Sequence, residues 1–167
     1  MYGMKTLREL LPVCLCLASV IVSCEPVEDV SEVPEIHFKS FAMGEIDSLG
    51  FNIKTGELVF SFIDGDADIG IPTSGRGEDT LNLFLIPFKK TDMVYDSLDM
   101  DTYGREYAVL NDEKLIRIGQ NKTIKGEIKV QIYYFITPPF DTMRYDFYIT
   151  DRAGHKSNVE STSDIGF

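Results

Sequence analysis

The densest group of chemically capable side chains in the sequence is a set of carboxylates. Asp64, Asp66 and Asp68 stand at alternate positions in the stretch Phe60-Ser-Phe-Ile-Asp-Gly-Asp-Ala-Asp-Ile-Gly70. Carboxylates held this close repel one another unless a cation or solvent lies between them. An all-oxygen set suits Ca²⁺, which takes about 6–8 oxygen ligands. The spacing is not that of an EF-hand, because Ile69 stands at the sixth loop position instead of Gly and Gly75 at the twelfth instead of a bidentate Glu. Asp151 joins the set if its own stretch, Tyr148-Ile-Thr-Asp-Arg-Ala-Gly-His-Lys-Ser-Asn158, lies beside the first in space. The expected metal residues are therefore Asp64, Asp66, Asp68 and Asp151, with calcium as the ion. The alternative is a solvated strand end whose aspartates cap backbone N–H groups as Asx-turns.

Signs of catalysis are missing. His37 and His155 are the two histidines, too few for a zinc pattern, and no Gly-x-Ser-x-Gly elbow is present. With no visible nucleophile and base, an enzyme is not expected. Lys and Arg number 16 against 27 Asp and Glu, a net charge of -11, which argues against nucleic acid as a partner because phosphate binding needs clustered cations. The chain has no Trp. Tyr95, Tyr103 and Tyr107 flank a polar stretch, where they either offer a sugar-stacking platform or pin a loop to the body.

Period-two patterning supplies the elements that must hold these groups. Ile128, Val130, Ile132 and Tyr134 alternate with Glu127, Lys129, Gln131 and Tyr133, which predicts a half-buried antiparallel strand. Similar alternation predicts strands around 57–62, 81–86 and 145–150, with weaker ones near 36–42, 107–110, 115–118 and 159–162. Turns are expected at Lys54-Thr55-Gly56, at 73–77 and at Thr137-Pro138-Pro139. Residues 89–106 read as a long polar loop. Seven or eight strands predict an all-β fold, an antiparallel β-sandwich of immunoglobulin-like topology, with a small barrel as the alternative.

The N-terminus reads as an address. Lys5 and Arg8 precede an apolar run over 10–22 that ends Ile21-Val22-Ser23-Cys24. At about 1.5 Å per residue this run spans roughly 20 Å, too short to cross a membrane. Its ending resembles the lipobox of bacterial lipoproteins. The resemblance implies that residues 1–23 are a signal peptide and that Cys24 carries the acyl chains. Residues 24–34 then form an acidic tether, and 35–167 the domain. Cys14 and Cys16 fall in the removed segment, so the mature chain has no intrachain disulfide.

Together with the lipobox, the two motifs quoted above resemble a family of uncharacterised Bacteroides-type envelope lipoproteins with an immunoglobulin-like domain. That family often has Gly where this chain has Ala67 and Asn where it has His155. The resemblance implies an outer-membrane lipoprotein, surface-exposed or periplasm-facing, and carries no activity with it. It implies a binding or structural module with an unknown protein or glycan partner. The alternative is an accessory glycan-binding lipoprotein of an outer-membrane nutrient-uptake complex. Asp followed by Ser or Thr and an apolar residue also resembles the O-glycosylation acceptor motif of such bacteria, which marks Ser48, Thr80, Ser97 and Thr142.

Overall fold

A computed structural model describes residues 30–72, 81–111 and 123–167. In chain order the strands are β1 (Glu35–Ser48), β2 (Phe51–Asp64), β3 (Ile71–Pro72), β4 (Leu83–Thr91), β5 (Val94–Ser97), β6 (Arg105–Tyr107), β7 (Leu110–Asn111), β8 (Ile124–Tyr134), β9 (Thr142–Ile149), β10 (Glu160–Ser161) and β11 (Ile165–Gly166). A single helical turn, α1 (Met100–Tyr103), lies between β5 and β6, with Asp99 as its N-cap. The fold is all-β and sandwich-like, as the alternation predicts. One antiparallel sheet has the order β1-β2-β8. The other runs β10-β9-β4-β5, with β11 also on β9 and β6 on β4. A short parallel pair, β3 with β7, stands outside both.

The two sheets close on each other through the faces that the period-two pattern makes apolar. Leu58, Phe60, Val130 and Ile132 come from the first sheet, and Leu83, Leu85, Met143, Tyr145, Phe147 and Ile149 from the second; all are buried. The Phe60 and Phe147 rings meet across the interface at 5.2 Å, and Phe38 reaches Phe147 edge-on at 6.4 Å. Each fully buried side chain of this size contributes about 1.5–3 kcal/mol.

The structure corrects two expectations. Lys54-Thr55-Gly56 is not a turn but lies inside β2, paired with both β1 and β8. Gly56 is there for packing: a Cβ on it would stand 2.5 Å from Cζ of the Phe41 ring. The reversal falls instead at Leu49 and Gly50, with φ of 55° and 82°, a two-residue turn in the left-handed region whose twist matches the strands. Residues 89–106 are likewise not a long loop. They hold the end of β4, a hairpin to β5, the helical turn and the start of β6. The strand expected from Leu81 begins at Leu83, and Leu81 is exposed. The strand and turn expected at 115–118 and 73–77 lie outside the described residues.

Asn158 ties the two halves of the chain together. Its Nδ2 donates to the Ile36 carbonyl and its Oδ1 accepts from the Ile36 N–H, both at 2.8 Å, so one side chain acts as a strand residue on the free edge of β1. Glu160 accepts from the Phe38 N–H next along that edge at 3.4 Å. Ile36 is fully buried, so both of its backbone groups would otherwise be unsatisfied. Asn158→Ala should therefore destabilise the domain by about 2–4 kcal/mol. Asn158→Asp, which sets a carboxylate oxygen against the Ile36 carbonyl and the Glu160 carboxylate, should cost at least as much. Urea midpoints for the two variants check this order, and a midpoint for Asn158→Ala equal to wild type would contradict it.

Candidate cation site

The acidic loop begins where β2 loses its partners. Asp64 is the last paired residue of that strand, opposite Ile124, and the chain then bends through Gly65 to Gly70 before β3. The bend needs left-handed backbone at Ala67 (φ 62°) and Gly70 (φ 82°). For Ala67 that conformation costs about 1 kcal/mol, which explains why Gly suits the position. Gly65 is required for a different reason. Its N–H donates to the Ser31 carbonyl at 2.9 Å, and a Cβ would meet that oxygen at 2.5 Å and the Val30 oxygen at 2.3 Å. The last residues of the acidic N-terminal stretch therefore run across the loop, and Pro34 is buried.

The loop brings Asp64, Asp66 and Asp68 together: one carboxylate oxygen from each lies within 4.8 Å of the others. Asp64 is fully buried, and Asp66 and Asp68 are half-buried. The Asp64 Oδ2 accepts from the Ile69 N–H at 2.9 Å, and the Asp68 Oδ2 accepts from the Ala153 N–H at 3.0 Å. The Oδ1 of all three is sealed from solvent and has no hydrogen-bond partner among the described residues. Burial pushes the Asp64 carboxyl up to about 6; repulsion from Asp66 and Asp68 adds to this, and the Ile69 N–H opposes it. Asp68 is also raised, first by burial and then by Asp151 and Asp66. Buried carboxylate oxygens without donors are expensive. With one oxygen from each carboxylate converging, the loop offers the donor type of a hard divalent cation.

The second motif braces the first, so the two stretches are neighbours. Arg152 donates from Nε to the Asp68 carbonyl at 3.0 Å and from its terminal amino group to the Ala67 carbonyl at 3.2 Å. Asp151 lies near enough to raise Asp68, but it turns both oxygens elsewhere. Oδ1 accepts from the His155 N–H at 2.7 Å, and Oδ2 meets His155 Nδ1 at 2.9 Å. That contact raises the His155 pKa. Asp64, Asp66 and Asp68 thus form the converging group, and Asp151 locks the adjoining turn. Sequence reasoning missed Arg152, the Ala153 N–H and the pairing of His155. Their only sequence signal is that both motifs end strands with turn-forming residues.

The remaining marked residues lie apart from this cluster. Ser48 ends β1 and Thr142 opens β9, both partly exposed, while Ser97 in β5 is exposed. Thr80 and Cys24 lie outside the described residues. Tyr95 is pinned: it donates to Asp164 at 2.5 Å and lies 4.0 Å beneath the Arg144 guanidinium. Tyr107 packs against the core. Tyr103 meets Phe140 edge-on at 5.4 Å. No helix among the described residues is long and apolar enough to cross a membrane. No family model matches the chain, and neither does any curated protein or solved structure.

Proposed function

We propose that this chain is a non-catalytic module of the cell envelope, with an immunoglobulin-like sandwich anchored to the outer membrane through Cys24. One end is braced by a calcium ion on Asp64, Asp66 and Asp68, and the surface engages a protein or glycan. The observation that carries the cation reading is the Asp64 side chain, which is fully buried, has an unpartnered Oδ1 and stands in a cluster of like charges. The lipobox and the two motifs support the envelope assignment, with the surface-exposed face favoured by the acidic residues after Cys24. Among the four O-glycan positions Ser97 is the best presented, and intact mass from the native host tests this: peptide plus lipid alone would contradict it.

The glycan-binding alternative, an accessory of a nutrient-uptake complex, draws support from Tyr133 and Phe135. Both rings are exposed and stacked within 22° of parallel on the outer face of β8 and just past its end.

Melting in calcium and in chelator tests the cation reading. A cation that binds only the native state adds RT ln(1 + [L]/Kd), about 0.4–1.4 kcal/mol at millimolar calcium for a Kd of ~10⁻⁴–10⁻³ M. The melting temperature should rise with calcium across the millimolar range and much less with magnesium, which demands tighter octahedral geometry. Asp66→Asn should remove most of the rise. Equal melting temperatures in calcium and chelator would leave a solvated aspartate turn.

A further inference from the structure

About ten residues along β2 from Asp64, at the opposite end of the sandwich, a second feature stands apart from the aspartate cluster. A cavity of about 190 Å³ opens between α1 and the connection from β8 to β9. Tyr134 and Tyr145, both buried, form its inner wall; Tyr103, Arg105, Phe135 and Pro138 also line it. Phe135 is 78% exposed, so an aromatic ring stands at the rim with nothing described packed over its outer side.

One polar feature of the cavity is unspent. Arg105 donates from one terminal nitrogen to the Gly104 carbonyl at 2.6 Å and the Thr102 carbonyl at 3.4 Å. Its Nε and other terminal nitrogen have no hydrogen-bond partner among the described residues, and no described carboxylate lies within ion-pair distance, in a chain where acids outnumber bases 27 to 16. Arg144 shows the contrast, since its Nε meets Asp146 at 3.3 Å. A guanidinium presents five donors in a planar fork that matches a carboxylate. The Tyr134 hydroxyl behind it is sealed from solvent against the Tyr145 hydroxyl. The Tyr145 hydroxyl donates to the Tyr103 carbonyl at 3.5 Å. Burial pushes both phenols above their ordinary range, so each keeps its proton as a donor.

We propose that this cavity binds a small carboxylate carried on a single ring, with the acid on the free edge of Arg105 and the ring against Tyr103 and Phe135. Size sets the single ring, because the cavity is smaller than the roughly 300–1,000 Å³ of sites for drug-sized ligands. Charge sets the acid, because a neutral ligand would leave the guanidinium without a partner. An acidic sugar at the end of a glycan and a free aromatic acid are two sources of this one chemistry. Such a ligand would fill the binding role proposed above, independently of the cation. A chain that binds calcium but none of these acids would contradict the cavity and leave the cation reading standing.

The test is calorimetric titration of the full chain, in a detergent without a sugar headgroup, with glucuronate, benzoate and glucose. At least one acid should bind saturably at one site, with glucose at least about tenfold weaker. Arg105→Gln should weaken that acid by at least about tenfold, the scale of a lost charge-assisted hydrogen bond. Arg105→Lys, which keeps the charge and loses the fork, should fall between the two. Binding of glucuronate alone assigns the glycan source, and of benzoate alone the free acid. Absence of binding by both acids up to millimolar concentration, glucose binding as tightly as the acids, or Arg105→Gln binding like wild type would overturn the proposal.

Discussion

Asp64→Asn is expected to raise the melting temperature of the calcium-free protein at neutral pH and to erase the gain from calcium. A buried carboxylate normally reads as a residue to preserve, but here the charge is the burden. The Asp64 carboxyl holds its proton in the native state up to a pH of about 6, against 3.8 as its ordinary value. Between those values the native state binds more protons than the unfolded chain, so stability falls as pH rises through that window. Above it the full cost is present, up to about 3 kcal/mol. Asn carries no charge and still offers an oxygen to the Ile69 N–H, and its amino group finds acceptors in Asp66 and Asp68. At about 4 °C per kcal/mol for a domain of this size, the variant should melt roughly 5–10 °C higher in chelator at pH 7.

The pH dependence carries the same sign. In chelator, wild type should gain stability as pH falls from 7 towards 5, while the variant should gain less. His155 acts in the same direction: its pKa is raised by Asp151, so its stabilisation is complete below its ordinary value and is lost as pH rises through the raised one. The difference between wild type and variant removes that shared contribution. Melting curves at several pH values decide it; a variant that melts lower than wild type in chelator would mean that the Asp64 charge is already balanced within the protein.

Cys24→Ala is expected to move the protein from the membrane fraction to the soluble fraction almost completely. Acyl chains anchor at about 0.8 kcal/mol per buried CH₂, and two or three chains hold where one does not. On the proposed anchoring, loss of the Cys24 thiol would leave no site for the acyl chains. The anchor would also orient the domain. Ser31 is held by Gly65, so the stretch from Cys24 to Ser31 spans at most about 25 Å even when fully extended. The aspartate loop would then face the bilayer, and the Leu49-Gly50 tip of the β1–β2 hairpin would point away. Detergent-phase partitioning measures the release; unchanged partitioning of the variant would refute the anchor.

Strand identity was legible wherever one face is buried and the other wet. β8 and β9 follow their alternation, with Val130, Ile132, Tyr145 and Phe147 inside as the pattern requires. The hairpin between β1 and β2 was not legible, because its turn carries Leu49 where Asn or Asp would announce it, and Leu49 is 96% exposed. Gly56 misled for the opposite reason: a glycine inside a strand looks like a turn until the Phe41 ring that needs its space is known. In the candidate site, the alternation of Asp64, Asp66 and Asp68 revealed the cluster. It did not show that Asp64 is buried, or that Asp151 faces His155. The bracing of the loop by Arg152 and Ala153 was equally hidden, because it joins residues more than eighty positions apart. Arg105 gave no signal at all, because an unpaired cation is visible only after every nearby acid has been located.

The most direct test of the cation-braced loop is calorimetric titration of calcium into chelator-treated protein at pH 7.5, repeated at pH 5 and with Asp66→Asn. One ion per chain should bind with a Kd near ~10⁻⁴–10⁻³ M. Binding should weaken at pH 5, where Asp64 holds a proton that the ion must displace, and should be lost or nearly lost in the variant. No saturable heat at pH 7.5, or binding that Asp66→Asn leaves unchanged, would contradict the account.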